Sequence, residues 1–470
     1  MHWQTVIGLE VHAQLNTRSK LFSNAPTRVG APANSQTHFI DAGLPGMLPV
    51  LNQQAVHMAI QFGLAIDAEI NDLSYFERKH YVYPDLPKGY QTSQLQRPIV
   101  SNGHLNAVTI ERAHLEEDAG KSLHDAFPTF TGIDLNRAGI PLLEIVTTPC
   151  LFSAEEAIGY LKALHQLLIF LDICDGNMQD GSFRCDVNLS LRPKNSETLG
   201  TRTELKNLNS FRFIEKAIAY EQCRHQDLLE RGQPVIQQTR LYCSDTNTTR
   251  PMRDKENEND YRYFPDPDLL PIKITAEDIA RIKATLPALP AALRVQLIEQ
   301  DGLPEENVDF LLSSPSVFRF YDAVKHQSHA PVKIVVNWLK GTYTAALHEK
   351  GMNFDSPPVS PERMACLLDR ITDNLISANN AKRVFAELIM SDNDVDTIIE
   401  SLGCQQVDNT TFIEQLIHLT VANNPQQAAD YRAGKEKLMA FFVGQVMKQA
   451  KGCADPAVVN RLLRSYFDGH

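Results

Sequence analysis

The first 290 or so residues read as β-rich with interspersed helices, and in several stretches apolar and polar positions alternate. In Ile7-Gly8-Leu9-Glu10-Val11-His12-Ala13-Gln14-Leu15 every odd position is apolar and every even one is polar or glycine. Strand side chains point alternately to two faces, so this reads as a strand with one face on a core and Glu10 and His12 together on the other. Arg184-Cys185-Asp186-Val187-Asn188-Leu189-Ser190 repeats the pattern and sets Asp186 between Arg184 and Asn188. In the shorter Thr203-Glu204-Leu205-Lys206, Glu204 and Lys206 share a face. Val108-Thr109-Ile110 opens another strand-like stretch, which ends in the carboxylate triplet Glu116-Glu117-Asp118. Helical periods lie between these. Ser153-Ala154-Glu155-Glu156 has the form of a capping box, and Ile158, Leu161, Leu164 and Leu168 follow at helical spacing.

A break comes at Leu286-Pro287-Ala288-Leu289-Pro290, and 18 of the 26 prolines precede residue 292. Beyond it the apolar period is helical. Ser360-Pro361-Glu362 is a cap with proline at the first helical position, followed by Met364, Leu367, Leu368, Ile371 and Leu375. Ala381, Val384, Phe385, Leu388 and Ile389 form the next stripe. Near the end, Leu438, Phe442, Val446 and Ala450 lie on one helix, and Asp455-Pro456 caps another that carries Val459, Leu462, Leu463 and Tyr466. The expectation is an α+β protein in three parts: a sheet-bearing domain over 1–292, an all-α domain over 293–405 and a small helical tail over 406–470.

A chain of 470 residues with 22% charged positions is an ordinary globular composition. Eight scattered cysteines with no CxxC point to reduced thiols. The start, MHWQTVIGLE, has no basic stretch followed by an apolar one, and no apolar run approaches membrane-spanning length, so a cytoplasmic location is expected. The net charge of −12 excludes a protein basic over its whole surface. It leaves room for a local patch, and the tail supplies one. From Asp430 to Tyr466, Arg432, Lys435, Lys437, Lys448, Lys451, Arg461 and Arg464 stand against three acidic residues. Such a patch is either a solvated helix face or a contact for an RNA backbone.

GxGxxG, HExxH and GxSxG are absent, and Ala119-Gly120-Lys121-Ser122 lacks the first glycine of a phosphate loop. What remains is a carboxylate-rich set with one imidazole: Glu10, His12, Glu116, Glu117, Asp186 and Glu204. Several carboxylates on one sheet face repel one another unless a cation joins them, and a hard cation such as Mg²⁺ takes oxygen ligands. The plainer reading is a solvent-facing polar row. Arg78–Gln94 is basic and aromatic, and its Lys79, Tyr81, Tyr83 and Lys88 could hold phosphates and stack a base. Asn136-Arg137 precedes a buried-looking strand.

The strings VIGLEVHAQL, LPGMLPVLN, YPDLPKGYQTSQ, HLEEDAGKS, DLNRAGIPLLEIV, GSFRCDVNLSLRP, TELKNLNS and DYRYFPDPDLLP occur in this order. With the C-terminal GKEKLMAFFVGQVMKQAKGCADPAVVNRLL they resemble the GatB/GatE family, the B subunits of aspartyl/glutamyl-tRNA amidotransferases, whose tail is related to YqeY proteins. The resemblance implies a mixed or antiparallel sheet forming a catalytic cradle, then a helical domain and a YqeY-like tail. It implies a ligase that forms carbon–nitrogen bonds. ATP would phosphorylate the side-chain carboxylate of glutamate or aspartate mischarged on tRNA, and ammonia would displace the phosphate. The Mg²⁺ shell would be Glu10, His12 and Glu117, with Glu116, Asp186 and Glu204 as second choices or ligands of a second ion. Lys79, Lys88 and Arg184 would neutralise phosphate, with Glu204 in the same catalytic set. Tyr81, Tyr83, Asn136, Arg137, Asn188 and Lys206 would contact nucleotide, and the basic tail residues would contact tRNA. A glutaminase is missing from the chain, so an amidase-type A subunit and a small C subunit would complete a heterotrimer. The rival expectations are a non-catalytic tRNA-binding adaptor and a metal-dependent phosphohydrolase.

Overall fold

The computed structural model describes residues 2–124, 126–254, 258–404, 410–450, 454 and 456–468. It divides into two compact units, 1–293 and 294–470.

The first unit is built on a nine-stranded sheet. Its strands in chain order are β1 (Trp3–Gln14), β2 (Glu69–Ile70), β3 (Val100–Leu105), β4 (Val108–Glu117), β5 (Pro141–Thr147), β6 (Phe183–Pro193), β7 (Thr203–Lys206), β8 (Gln238–Cys243) and β9 (Thr248–Asp254). The spatial order is β9-β8-β7-β6-β1-β5-β4-β3-β2. Every neighbouring pair is antiparallel except β7 and β8. The mixed sheet expected from the resemblance is present, and the three alternating segments are strands β1, β6 and β7.

One face of this sheet is apolar. Ile7, Leu9, Val11 and Ala13 of β1 and Cys185, Val187 and Leu189 of β6 are buried in one cluster with three helices. These are α1 (Gln53–Ala65), α2 (Ala154–Phe170) and α3 (Phe211–Glu230). Burying large side chains such as these stabilises by about 1.5–3 kcal/mol each, which fixes the register and turns the alternate residues to the other face. The start of α2 differs from a closed capping box. Ser153 Oγ accepts from Glu156 N as expected, but the Glu156 carboxylate accepts from Phe152 N, one residue before the cap.

Where α3 meets the sheet edge, the buried contacts are charged. Glu221 is fully buried. It pairs with Arg224 at 2.7 Å and Arg240 at 3.0 Å, and it accepts from the Thr249 hydroxyl. His225 Nε2 lies 2.8 Å from Thr203 Oγ1 on β7. Burial alone would raise the Glu221 pKa, but His225, Arg224 and Thr249 hold it down at about 2.

The second unit is helical: after α4 (Ala276–Lys283) and α5 (Pro290–Glu299) come α6 (Glu305–Leu311), α7 (Pro315–Gln327), α8 (Val332–Trp338), α9 (Thr344–Lys350), α10 (Pro361–Thr372), α11 (Ala378–Met390) and α12 (Val395–Leu402). Ser360 caps α10 as expected, but the helix stops at Thr372, and Leu375 is 37% exposed instead of completing the stripe. The tail helices are α13 (Thr410–Ala422), α14 (Pro425–Arg432), α15 (Leu438–Gln449) and α16 (Pro456–Asp468). They share their own core of Ile413, Ile417, Phe442, Val446, Val459, Leu463 and Phe467. Asp455, the expected cap of α16, lies outside the described residues.

Candidate functional site

Register builds the site. In antiparallel pairs, residues directly opposite each other share a face. His114 of β4 faces Glu144 of β5, Glu144 faces His12 of β1, and His12 faces Arg184 of β6. One row of polar side chains therefore crosses four strands on the face opposite the helices. The adjacent rows pair Glu10 with Asp186 and Asn188 with Glu204.

Two acidic groups result. In the first, His12 Nε2 lies 3.3 Å from Glu116 Oε1 and 3.5 Å from Glu144 Oε2. Burial opposes a charge on His12, but Glu144 and Glu116 outweigh it and lift its pKa to about 10. Burial likewise opposes the Glu144 charge, yet His114 and His12 hold its pKa well below the usual carboxylate range. In the second group, one carboxylate oxygen each from Glu10, Asp186 and Glu204 lies within 4.8 Å of the others. Lys206 Nζ contacts Asp186 and stands 3.4 Å from Glu204 Oε1. Asn188 donates to Glu10 at 2.7 Å, and Thr239 donates to Glu204 at 2.6 Å.

Both groups could take a cation: acidic donors from separate strands converge in each, and the second already draws in the Lys206 ammonium. The second offers three carboxylates, the hard oxygen donors a Mg²⁺-type ion takes, and the first two carboxylates with one imidazole nitrogen.

A cavity of about 960 Å³ opens over this face, lined by Glu10, His12, Glu144, Asp186, Glu204 and Lys206 among others. Lys79, Asn188, Tyr261 and Tyr263 also line it. Lys79 Nζ sits 4.8 Å from the Tyr261 ring centroid and 5.8 Å from that of Tyr81. Tyr81 also meets Tyr83 edge-on at 5.8 Å, and its hydroxyl donates to Gln91 at 3.2 Å.

Not every expected ligand is brought here. Glu116 joins His12; Glu117 does not. Its Oε1 accepts from Thr92 N at 2.9 Å and pairs with Lys88. The reason is a β-bulge. Opposite β5, Val146 pairs with Arg112 but Thr147 pairs with Ile110, so Glu111 is an extra residue. The alternation that buries Val108 and Ile110 reverses there, and Ala113 and Leu115 become the core positions. Glu116, not Glu117, falls on the polar face. Arg184 points from that face to Asp118, 3.2 Å away, and with Arg137 overcomes burial to keep the Asp118 pKa low. Asn136 and Arg137 engage the chain's own backbone. Asn136 donates to Pro32 O at 2.7 Å, and Arg137 donates to Gly120 O at 2.6 Å and Ala119 O at 3.0 Å. Glu144 and His114 had no assigned role in the sequence. The signal for Glu144 was available: it is the one charged residue in the otherwise apolar Pro141-Leu142-Leu143-Glu144-Ile145-Val146.

In the tail, Arg432, Lys435, Lys437, Lys448, Arg461 and Arg464 are exposed, and Lys451 lies outside the described residues. Arg432 stacks on Phe467 at 5.7 Å, and Lys435 pairs with Asp430 at 3.0 Å. Among the described residues no helix is long and apolar enough to cross a membrane.

Comparison with known proteins bears on the same residues. The family described as "GatB/GatE catalytic domain" matches residues 5–280, which span both acidic groups. A second family, described as "GatB domain", matches 319–467. A relative from Legionella pneumophila (strain Paris), named as the B subunit of an aspartyl/glutamyl-tRNA(Asn/Gln) amidotransferase, is 61% identical over 99% of this chain and 100% of its own length. Relatives of the same name from Nitrosococcus oceani and Halorhodospira halophila are each 51% identical, over 99% of both chains and 100% of both chains respectively. The chain belongs to the GatB/GatE family, as a B subunit of the tRNA-dependent amidotransferases.

Proposed function

We propose that the cavity above β1, β5, β6 and β7 is where the side-chain carboxylate of mischarged Glu-tRNA(Gln) or Asp-tRNA(Asn) is phosphorylated by ATP and then amidated. A carboxylate is a poor acyl donor because oxide would have to leave. In the first step its oxygen bonds to the γ-phosphorus and the bond to ADP breaks. In the second, ammonia bonds to the acyl carbon, the carbon–oxygen bond to phosphate breaks, and the nitrogen sheds a proton. Joining two anions needs positive charge around them. His12, Glu116 and Glu144 would hold one Mg²⁺, and Glu10, Asp186 and Glu204 a second, with Lys206 giving way. Bound there, Mg²⁺ supplies charge neutralisation of phosphoryl oxygens. Lys79 adds a fixed cation at the cavity wall. Tyr261 and Tyr263, with Tyr81 behind Lys79, offer faces on which a base stacks, the terminal adenosine of tRNA or the nucleotide.

The observation that supports this reading most is the convergence of six metal-type ligands from β1, β4, β5, β6 and β7 on one face. A non-catalytic adaptor leaves that convergence without a purpose. Ammonia would come from an amidase-type A subunit, with a small C subunit bracing the pair, in the cytoplasm. The test is the assembled complex supplied with glutamine and each mischarged tRNA. Amide formation that requires ATP and Mg²⁺ supports the proposal. Amide formation without ATP, or ATP hydrolysis indifferent to tRNA and glutamine, rejects it, the latter in favour of a phosphohydrolase.

The exposed basic face of the tail would grip the tRNA backbone. The double substitution Arg461→Glu and Arg464→Glu is expected to weaken tRNA binding roughly tenfold at about 0.1 M salt and to flatten its salt dependence. Filter binding over a salt series measures both, and an unchanged affinity assigns the tRNA grip elsewhere.

A further inference from the structure

We propose that His114 is a positioning residue for the first cation group, acting through Glu144; the inference rests on the cation reading above. His114 is 4% exposed and stands directly opposite Glu144 in the register. Its Nε2 is 3.1 Å from Glu144 Oε2 and 4.0 Å from Glu116 Oε2, so the contact with Glu144 is the close one. Its Nδ1 is buried and has no hydrogen-bond partner among the described residues.

That asymmetry fixes the tautomer. A proton on Nδ1 would be a buried donor with nothing to receive it, and would leave Nε2 as a lone pair aimed at a carboxylate. With the proton on Nε2, the ring donates to Glu144 and only an acceptor goes unfilled, the less costly arrangement. Glu144 Oε2 also faces His12 Nε2 at 3.5 Å. The carboxylate thus lies between two imidazoles from opposite neighbouring strands. His12 belongs to the group that would take the ion; His114 stands outside that group, against Glu144. The Nε2–H bond holds the Glu144 carboxylate in the rotation that serves His12 and Glu116. Without it the terminal torsion of Glu144 is free, and ion binding must order it. Residues that orient a ligand in this way usually account for roughly ten- to a hundredfold in metal affinity.

The test compares two amides in the full complex. Glutamine places its NH₂ where His Nε2 was; asparagine, one carbon shorter, reaches only as far as Nδ1. Both are polar, similar in size and without charge, so a purely structural role affects them alike. Mn²⁺ alone is the probe, titrated by electron paramagnetic resonance of the free ion, with wild type and His12→Ala as references. His114→Asn is expected to raise the apparent Mn²⁺ Kd roughly ten- to a hundredfold, while His114→Gln stays near wild type. Equal affinities in the two variants, whether both lost or both retained, overturn the inference. If wild type binds no Mn²⁺ the cation reading itself fails, and if His12→Ala binds as many ions as tightly as wild type the first group is no cation site; both are separate results.

Discussion

Glu144→Ala is expected to lower amide formation by about two to three orders of magnitude, the range seen when one preorganised charge contact of a reacting centre is removed. Glu144 is the hub of the first acidic group, shared by His12 on β1 and His114 on β4. Without it His12 keeps only Glu116, and a three-donor group falls to two, too few to hold a hydrated divalent ion firmly. The change removes no apolar packing but leaves the His12 and His114 rings without their shared carboxylate, so Glu144→Gln is measured beside it, and near-wild-type tRNA affinity separates a chemical defect from a folding or binding one. ATP turnover and amide formation should fall together. Activity close to that of wild type would remove the first group from the chemistry.

Glu221→Ala should destabilise the fold by about 3–5 kcal/mol, because it strands the Arg240 and Arg224 guanidiniums at a buried site. The pH dependence has a definite sign. A carboxylate held at about 2 when folded and near its ordinary value when unfolded adds stability above the unfolded value, and that stability is lost as pH falls through the folded one. A displacement of this size is worth roughly 3 kcal/mol at neutral pH. Urea unfolding of wild type and Glu221→Gln should therefore differ most near neutral pH, and the gap should narrow between about pH 5 and pH 2. A gap that does not change with pH would mean that Glu221 titrates alike in the folded and unfolded chain. Because Thr203 and Arg240 of the same network flank Glu204 and Thr239 in β7 and β8, loss of Glu221 should also disturb the second acidic group.

The sheet was legible wherever alternation ran unbroken. β1 and β6 alternate over Ile7–Leu15 and Arg184–Ser190 in the sequence, and burial follows most of that alternation in the strands. The first acidic group was less legible, for two physical reasons. The bulge at Glu111 is a property of pairing between β4 and β5, and nothing in the β4 sequence alone announces the change of phase that exchanges Glu117 for Glu116. Glu144 sits on a strand buried on both sides, where hydrophobic runs hide alternation and a single charge reads as an exception. Asn136, Arg137 and Lys88 show the converse. Their polarity suggested ligands, but Asn136 and Arg137 tie loop carbonyls, and Lys88 answers Glu117. In the helical half, the stripe through Met364, Leu367 and Leu368 is buried as read, while Leu375 falls past a helix end that capping at Asp373 sets.

If a phosphoryl group passes to the amino acid's own carboxylate within reach of β1, an isotope will record the transfer. Mischarged Glu-tRNA(Gln) carrying ¹⁸O in both side-chain carboxylate oxygens is supplied to the complete complex with ATP, Mg²⁺ and glutamine. When the acyl phosphate forms, each amide made leaves one ¹⁸O in the inorganic phosphate released, read by mass spectrometry. Amide formed with the label absent from phosphate, whether lost to water or carried into AMP, would contradict it.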